Sequence, residues 1–215
     1  MSERLVLASG SPRRQQILKT LGLAFDTIAP AVDEMRLPDE EPHDYVERVA
    51  RAKAAAVAGP DRIALAADTA VVIEGHVLGK PTHPEEAKSM LRRLSGKTHE
   101  VLTGVALART GDRLEMWSEV SSTLVRFLLL TEEEIADYVD GGEPMDKAGA
   151  YALNGSGAIF IESVSGSPSG VIGLPLHLTA RLFRSAGLDL LSFTATSPEL
   201  DQQDPLSAPV APGME

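Results

Sequence analysis

The stretch Ser9-Gly10-Ser11-Pro12-Arg13-Arg14 sets small residues, hydroxyls, a helix start and two guanidinium groups within one turn. Backbone N–H groups, the helix dipole and bidentate arginine all favour a bound phosphate there. The plainer alternative is a serine N-cap followed by solvated arginines, since no Walker pattern is present. Lys53 shares one helical face with Val46, Val49, Ala50 and Val57, which puts a cation on a buried face. An unpaired buried charge is costly, so an anionic partner is expected, either a carboxylate of the chain or a ligand phosphate; snorkelling to the surface is the alternative. Asp68 ends the apolar run Ile63 to Ala67, and ligands of α/β sheets gather at the carboxyl ends of strands. Glu34 follows a strand of its own and could converge on the same cleft. Two carboxylates with water suit a hard cation, magnesium or manganese, completed by substrate phosphates. An ordinary turn at Asp68-Thr69 is the competing reading. Lys80 and Lys97 each stand beside glycine in loops, where lysines are mostly solvated, and His43, His76, His83, His99 and His177 show neither metal-ligand spacing nor a Ser-His-Asp arrangement.

The elements that must position these residues alternate. Leu5 to Ala8 reads as a short buried strand, followed by a helix to about Leu21 that Gly22 stops. Phe25 to Ala29 reads as a second strand and Asp44 to Ala58 as a helix. Ile63 to Ala67 is a strand expected to end at Asp68-Thr69, with Ala70 to Ile73 continuing extended into a turn at Glu74-Gly75-His76. Pro84 to Leu94 has an amphipathic helix pattern with Ala87, Met90, Leu91 and Leu94 inward. His99 to Arg109 and Glu115 to Leu130 read as long strands. Thr131 and Glu134 form a capping box opening a helix to about Val139. Ala158 to Val164 is expected to be a strand and Leu174 to Ala186 the last helix. Interleaved strands and helices with hairpins predict an α/β class with a mixed sheet.

Composition bounds the partners. The chain has 215 residues, 43% of them hydrophobic, enough for one domain with a substantial core. Without cysteine there is no disulfide framework or thiolate zinc site, and a reducing, cytoplasmic setting is the simplest expectation. No apolar segment approaches a signal-peptide core or a membrane span. A net charge of −11 argues against stable nucleic-acid binding, so cations that handle phosphate must be concentrated locally. Residues 1–191 are expected to form the domain. From Ser192 the chain has four prolines, four acidic residues and no Lys or Arg, which reads as a disordered tail over 192–215.

Taken in order, Leu7-Ala8-Ser9-Gly10-Ser11-Pro12-Arg13-Arg14, Val32-Asp33-Glu34, Ala52-Lys53-Ala54, Ala67-Asp68-Thr69, Gly79-Lys80-Pro81, Leu94-Ser95-Gly96-Lys97-Thr98-His99, Asp146-Lys147-Ala148-Gly149-Ala150-Tyr151 and Val171-Ile172-Gly173-Leu174-Pro175 resemble the Maf family over about residues 5 to 187. The resemblance implies a fold like that of the inosine triphosphate pyrophosphatases, with two lobes, flanking helices and a deep cleft. It implies hydrolysis of a nucleoside triphosphate between the α and β phosphates to a monophosphate and pyrophosphate. In that scheme Asp68 activates water and shares a magnesium or manganese ion with Glu34. Arg13, Lys53 and Lys80 hold the polyphosphate, with Ser9, Ser11 and Arg14 around it. Arg13 and Thr69 match the branch that takes dTTP and UTP; another branch prefers 7-methyl-GTP and has Trp in place of Arg13. Asn154 departs from the first branch, which usually has Gln there, so base recognition is expected to be looser or altered. A homodimer is also implied. A rival implication is a nucleotide-binding regulator of septum formation with little turnover.

Overall fold

In a computed structural model, the described residues are 3–194. The first apolar run forms β1 (Arg4–Leu7), and Pro12 opens α1 (Pro12–Thr20), a position where proline loses no hydrogen bond and brings a pre-set φ. Gly22, at φ +69°, lets the chain leave that helix. The second strand is shorter than expected: β2 is only Asp26–Thr27. α2 (Pro42–Val57) buries Val46, Val49, Ala50, Lys53 and Val57, the face that the spacing predicts. Then come β3 (Arg62–Ile73), β4 (His76–Leu78), α3 (Pro84–Leu94), β5 (Thr98–Thr110) and β6 (Leu114–Phe127). α4 (Glu132–Asp140) begins at the expected capping box, with Thr131 and Glu134 bonding each other's backbone N–H.

Three 3-10 turns, Glu143–Asp146, Ala148–Ala150 and Ser156–Phe160, carry the chain to β7 (Ile161–Ser165). Residues 158–160, expected as strand, are therefore wound into the last of these turns. The expected final helix is found slightly shortened as α6 (Leu176–Ser185), which starts after Pro175, and a short α5 (Pro168–Ile172) that the sequence does not predict precedes it. Ser192 and Phe193 close a further 3-10 turn, and Thr194 bridges Leu23, so ordered chain continues past the expected boundary at 191. The remainder of the expected tail lies outside the described residues.

The strands form one mixed sheet in the order β2-β1-β3-β5-β6-β7, with β4 also on β3. β1 runs parallel to β2 and β3; the other pairings are antiparallel. A strand end at Asp68 is not found. β3 runs unbroken through Asp68 and Thr69, because β5 pairs with it residue by residue there, Asp68 opposite Gly104 and Thr69 opposite Thr103. That ladder satisfies the backbone whatever the polarity of the side chains.

Two apolar clusters share the long strands. One gathers Leu65, Ala67, Val105 and Leu107 with residues of β1, α1 and α6. The other gathers Val71, Ile73, Val101, Val125 and Phe127 with α3 and α4. Between them on the same sheet face lies a polar row, Thr69, Thr103 and Ser121, aligned across β3, β5 and β6. This row is the waist between two lobes. α5 covers it, with the Thr103 hydroxyl donating to the Gly170 carbonyl at 2.9 Å. α2 lies on the opposite face, where Ala50, Ala54 and Val57 meet Ala64, Ala66, Ala106 and Ala108.

Candidate active site

β1 stops pairing with β3 at Leu7 and Leu65, and β4 begins at Val71 and Leu78. Residues 66–70 of β3 therefore have no strand on that edge. The loop after β1, anchored by Ala8 N–H to the Leu65 carbonyl at 2.7 Å, turns away at this gap. A cleft of about 610 Å³ opens there, reaching the side chains of both sheet faces. The organising strand end is thus that of β1, while Asp68 stands mid-strand beside it.

Asp68 points to the α2 side and is 7% exposed. Lys53, one turn after Val49 on α2, reaches it: Nζ lies 2.8 Å from Asp68 Oδ1 and 2.8 Å from Glu34 Oε2. The anionic partner expected for Lys53 is a pair of carboxylates. Burial pushes the Asp68 pKa up, against the pull of Lys53 and Arg14 in the other direction. Its hydrogen-bonded oxygen is Oδ1, and Oδ2 makes no hydrogen bond among the described residues. The Tyr45 hydroxyl donates to the Glu34 carbonyl at 3.1 Å, which ties the Glu34 loop to α2.

The opposite face carries hydroxyls around a buried guanidinium. Arg14 Nε donates to the Gly173 carbonyl at 2.8 Å, Nη1 to Ser9 Oγ at 3.1 Å and Nη2 to Thr69 Oγ1 at 3.3 Å. Arg14 thereby joins the loop after β1, the waist of β3 and the turn after α5. Burial lowers its pKa, with Asp68 and Glu34 opposing. Ser11 sits at the N-cap of α1 without a side-chain capping bond, so the plain serine-cap reading of this stretch does not describe it. Arg13 instead spans the cleft: Nη1 meets Asp146 Oδ2 at 2.9 Å. Lys147 holds the other Asp146 oxygen at 2.6 Å and the Glu143 carbonyl at 2.8 Å.

Lys80 lines the same cleft on a loop fixed by Gly149 N–H to the Gly79 carbonyl, 3.0 Å. Asn154 lines it too, exposed, beyond the buried Tyr151. Every residue the sequence singled out for the site thus faces one cavity. Lys97 and His99 do not: Lys97 pairs with Glu74, and His99 is buried against Phe127 and Tyr151. Polar residues of the cleft to which the sequence assigns no role include Tyr45, and Asp146 and Lys147, which it marks only as part of the family resemblance. Tyr45 was findable, since 45, 49 and 53 recur at helical spacing; the reach of Arg13 to Asp146, 133 positions away, was not.

Among the described residues no cluster of three His, Cys, Asp or Glu could hold a metal by itself. Glu34 and Asp68 offer hard oxygen donors converging within reach of one ammonium, and magnesium or manganese binds through few carboxylates plus phosphate oxygens. The donor set fits such an ion only with a phosphate ligand completing it. Arg13, Arg14, Lys53, Lys80 and Lys147 outnumber Glu34, Asp68 and Asp146 around the cavity, a local excess of positive charge in a chain of net charge −11.

Sheet and cleft together define an α/β protein whose edge gap opens a cation-rich cleft backed by the buried Asp68 and the exposed Glu34. The chain belongs to the Maf family: the family model described as Maf-like protein matches residues 4–186. A dTTP/UTP pyrophosphatase of Anaeromyxobacter dehalogenans (strain 2CP-C) is 55% identical over 191 residues, covering 88% of this chain and 97% of the relative. Proteins of the same name from Symbiobacterium thermophilum and Escherichia coli O157:H7 are 47% and 45% identical, covering 88% and 93% of this chain and 97% and 98% of their own lengths. Among solved structures, a HAM1 protein from Coxiella burnetii aligns with 86% of this chain and 100% of its own at 17% identity and a TM-score of 0.48.

Proposed function

We propose that this chain hydrolyses nucleoside triphosphates to the monophosphate and pyrophosphate, with dTTP and UTP as preferred substrates. The observation that carries this reading is the set of relatives named dTTP/UTP pyrophosphatase, among them proteins 55%, 47% and 45% identical and matched over 97–98% of their own lengths. The cleft supplies a physical route. Arg13 and Lys80, which line the cleft, present charge to the polyphosphate. Lys53, wedged between Asp68 and Glu34, holds both carboxylates in place and offsets charge developing on the leaving pyrophosphate.

Water attacks the α phosphorus, its proton passes to the Asp68 carboxylate, and the α–β bridging oxygen leaves with pyrophosphate. A carboxyl group whose pKa burial has raised is the better proton acceptor for this step. No side-chain nucleophile is needed, because phosphoryl chemistry of this kind depends on positioning and electrostatics. Glu34 and Asp68 would hold a magnesium or manganese ion, which when bound supplies charge neutralisation at the phosphate oxygens. Thr69 and Asn154 are the residues we assign to the nucleoside end. Among the described residues no helix is long and apolar enough to cross a membrane; the cysteine-free composition suits a cytoplasmic enzyme, and the family resemblance supports a homodimer.

The test is pyrophosphate release from dTTP, UTP, CTP, 7-methyl-GTP and modified pyrimidine triphosphates with magnesium or manganese. Fastest turnover of dTTP and UTP is expected. Tight nucleotide binding with no release from any of them would replace the enzyme with the regulatory binding protein.

A further inference from the structure

Glu143 directs both carboxylate oxygens at one loop. Oε1 accepts from the Tyr138 hydroxyl at 2.7 Å and from the Gly157 N–H at 3.1 Å. Oε2 accepts from the Ser156 N–H at 2.9 Å and from the Ser156 hydroxyl at 2.7 Å. Tyr138, on α4, belongs to the buried core, so the carboxylate is anchored on one side and grips residues 156–157 on the other. The approach is close enough that a Cβ on Gly155 would lie 2.5 Å from either oxygen. Burial alone would raise the Glu143 pKa, but the donors from Ser156, Tyr138 and Gly157 hold it at about 2, so it is an acceptor-only group at any working pH.

Asn154 lies two residues before the gripped Ser156, separated from it by Gly155, and is exposed to the cleft. A segment containing Gly155 and Gly157 has wide backbone freedom, and a short amide carries little recognition unless its origin is fixed. We propose that Glu143 is a specificity-positioning residue, which fixes the Asn154 amide against the nucleobase without touching substrate. The inference rests on the assignment of Asn154 to the nucleoside end made above. An amide held in one place offers one donor and one acceptor in a set order, which suits the keto and imide edge of thymine or uracil and mismatches the amino edge of cytosine. A loop freed from Glu143 loses that order while the phosphate end of the cleft is untouched.

The full-length Glu143→Gln protein tests this, because the side-chain amide turns a donor toward groups that already donate. Turnover of dTTP and dCTP, and competitive inhibition by tripolyphosphate, which has no base, are measured on it and on the unaltered chain. The expected result is a roughly tenfold fall in the dTTP-to-dCTP ratio of kcat/KM, carried by KM, with kcat for dTTP within about threefold and tripolyphosphate inhibition unchanged. Ser156→Ala and Gly155→Ala break the same grip from the loop side and are expected to reproduce the pattern; they decide the matter if Glu143→Gln does not fold by circular dichroism. An unchanged ratio in folded variants overturns the proposal, as does tripolyphosphate inhibition weakening in step with dTTP. If the unaltered chain releases no pyrophosphate at all, the hydrolase reading fails separately, and dTMP against tripolyphosphate binding decides the role of Glu143.

Discussion

Asp68, Lys53 and Glu34 show how far one residue's chemistry can be read before its neighbours are known. A lysine on an apolar helix face requires an anion, and that much follows from periodicity; which carboxylates supply it depends on where β3 lies against α2. Asp68→Asn keeps an oxygen for Lys53, and Glu34 remains as its partner, so folding should persist while pyrophosphate release falls by about 10²- to 10⁴-fold. Rates near those of the unaltered protein would remove Asp68 from the proton transfer. His99 yields a stability prediction. Burial lowers its pKa to about 4 from the ordinary 6.5, so below pH 6.5 the unfolded chain takes up a proton that the native one refuses. Its contribution is therefore complete above pH 6.5 and is lost as pH falls toward 4, on the order of 3 kcal/mol in all. Urea unfolding between pH 7 and 4.5 should show that loss, and replacing the hydrogen-bonded pair as His99→Phe with Tyr151→Phe should flatten it. Glu143 titrates in a lower window, between its ordinary value and about 2, so the two effects separate.

At the scale of elements, the placing of α2 depends on a residue outside it. Gly104, opposite Asp68 on β5, lies under the α2 backbone, and a Cβ there would collide with the Val46 carbonyl. Gly104→Ala must push α2 outward and carry Lys53 with it. We expect a loss of about 1–3 kcal/mol in thermal or urea unfolding together with reduced turnover. Full turnover with unchanged stability would show that α2 can seat itself otherwise. The helices with a clear 3.6-residue period, α2 and α3, were legible nearly to their ends because their apolar faces repeat over several turns. The 3-10 turns between residues 143 and 160 were not, since a single local turn leaves no period to detect. β3 continues through Asp68 where the sequence reads a strand end, because a polar residue in a ladder looks, in sequence, like the end of one.

On the scale of the whole molecule, the two lobes are two cores strung on the same strands. Neither can lose β3 or β5 without exposing the other, which predicts one cooperative unfolding transition. Trp117, the chain's single tryptophan, packs beside the core of β1 and α6 and reports on that lobe. Leu91→Ala, in the other lobe, should cost about 2–5 kcal/mol and shift the Trp117 fluorescence midpoint as far as the circular dichroism midpoint. Separated midpoints would show that the lobes unfold independently.

The sequence by itself determined the local order of this protein and its chemical inventory: the α/β alternation, the helix faces, the hydroxyl and guanidinium turn after β1, and the carboxylates and cations fit for phosphate. Those features depend on residues within a few turns of one another, where spacing translates directly into geometry. Only the tertiary structure decided that Asp68 stands mid-strand at an edge gap, that Arg14 is enclosed by Ser9, Thr69 and Gly173, and that Arg13 crosses to Asp146. Those relations depend on sheet order and strand register, which are set by how the two cores pack together, and no short window of sequence carries that information.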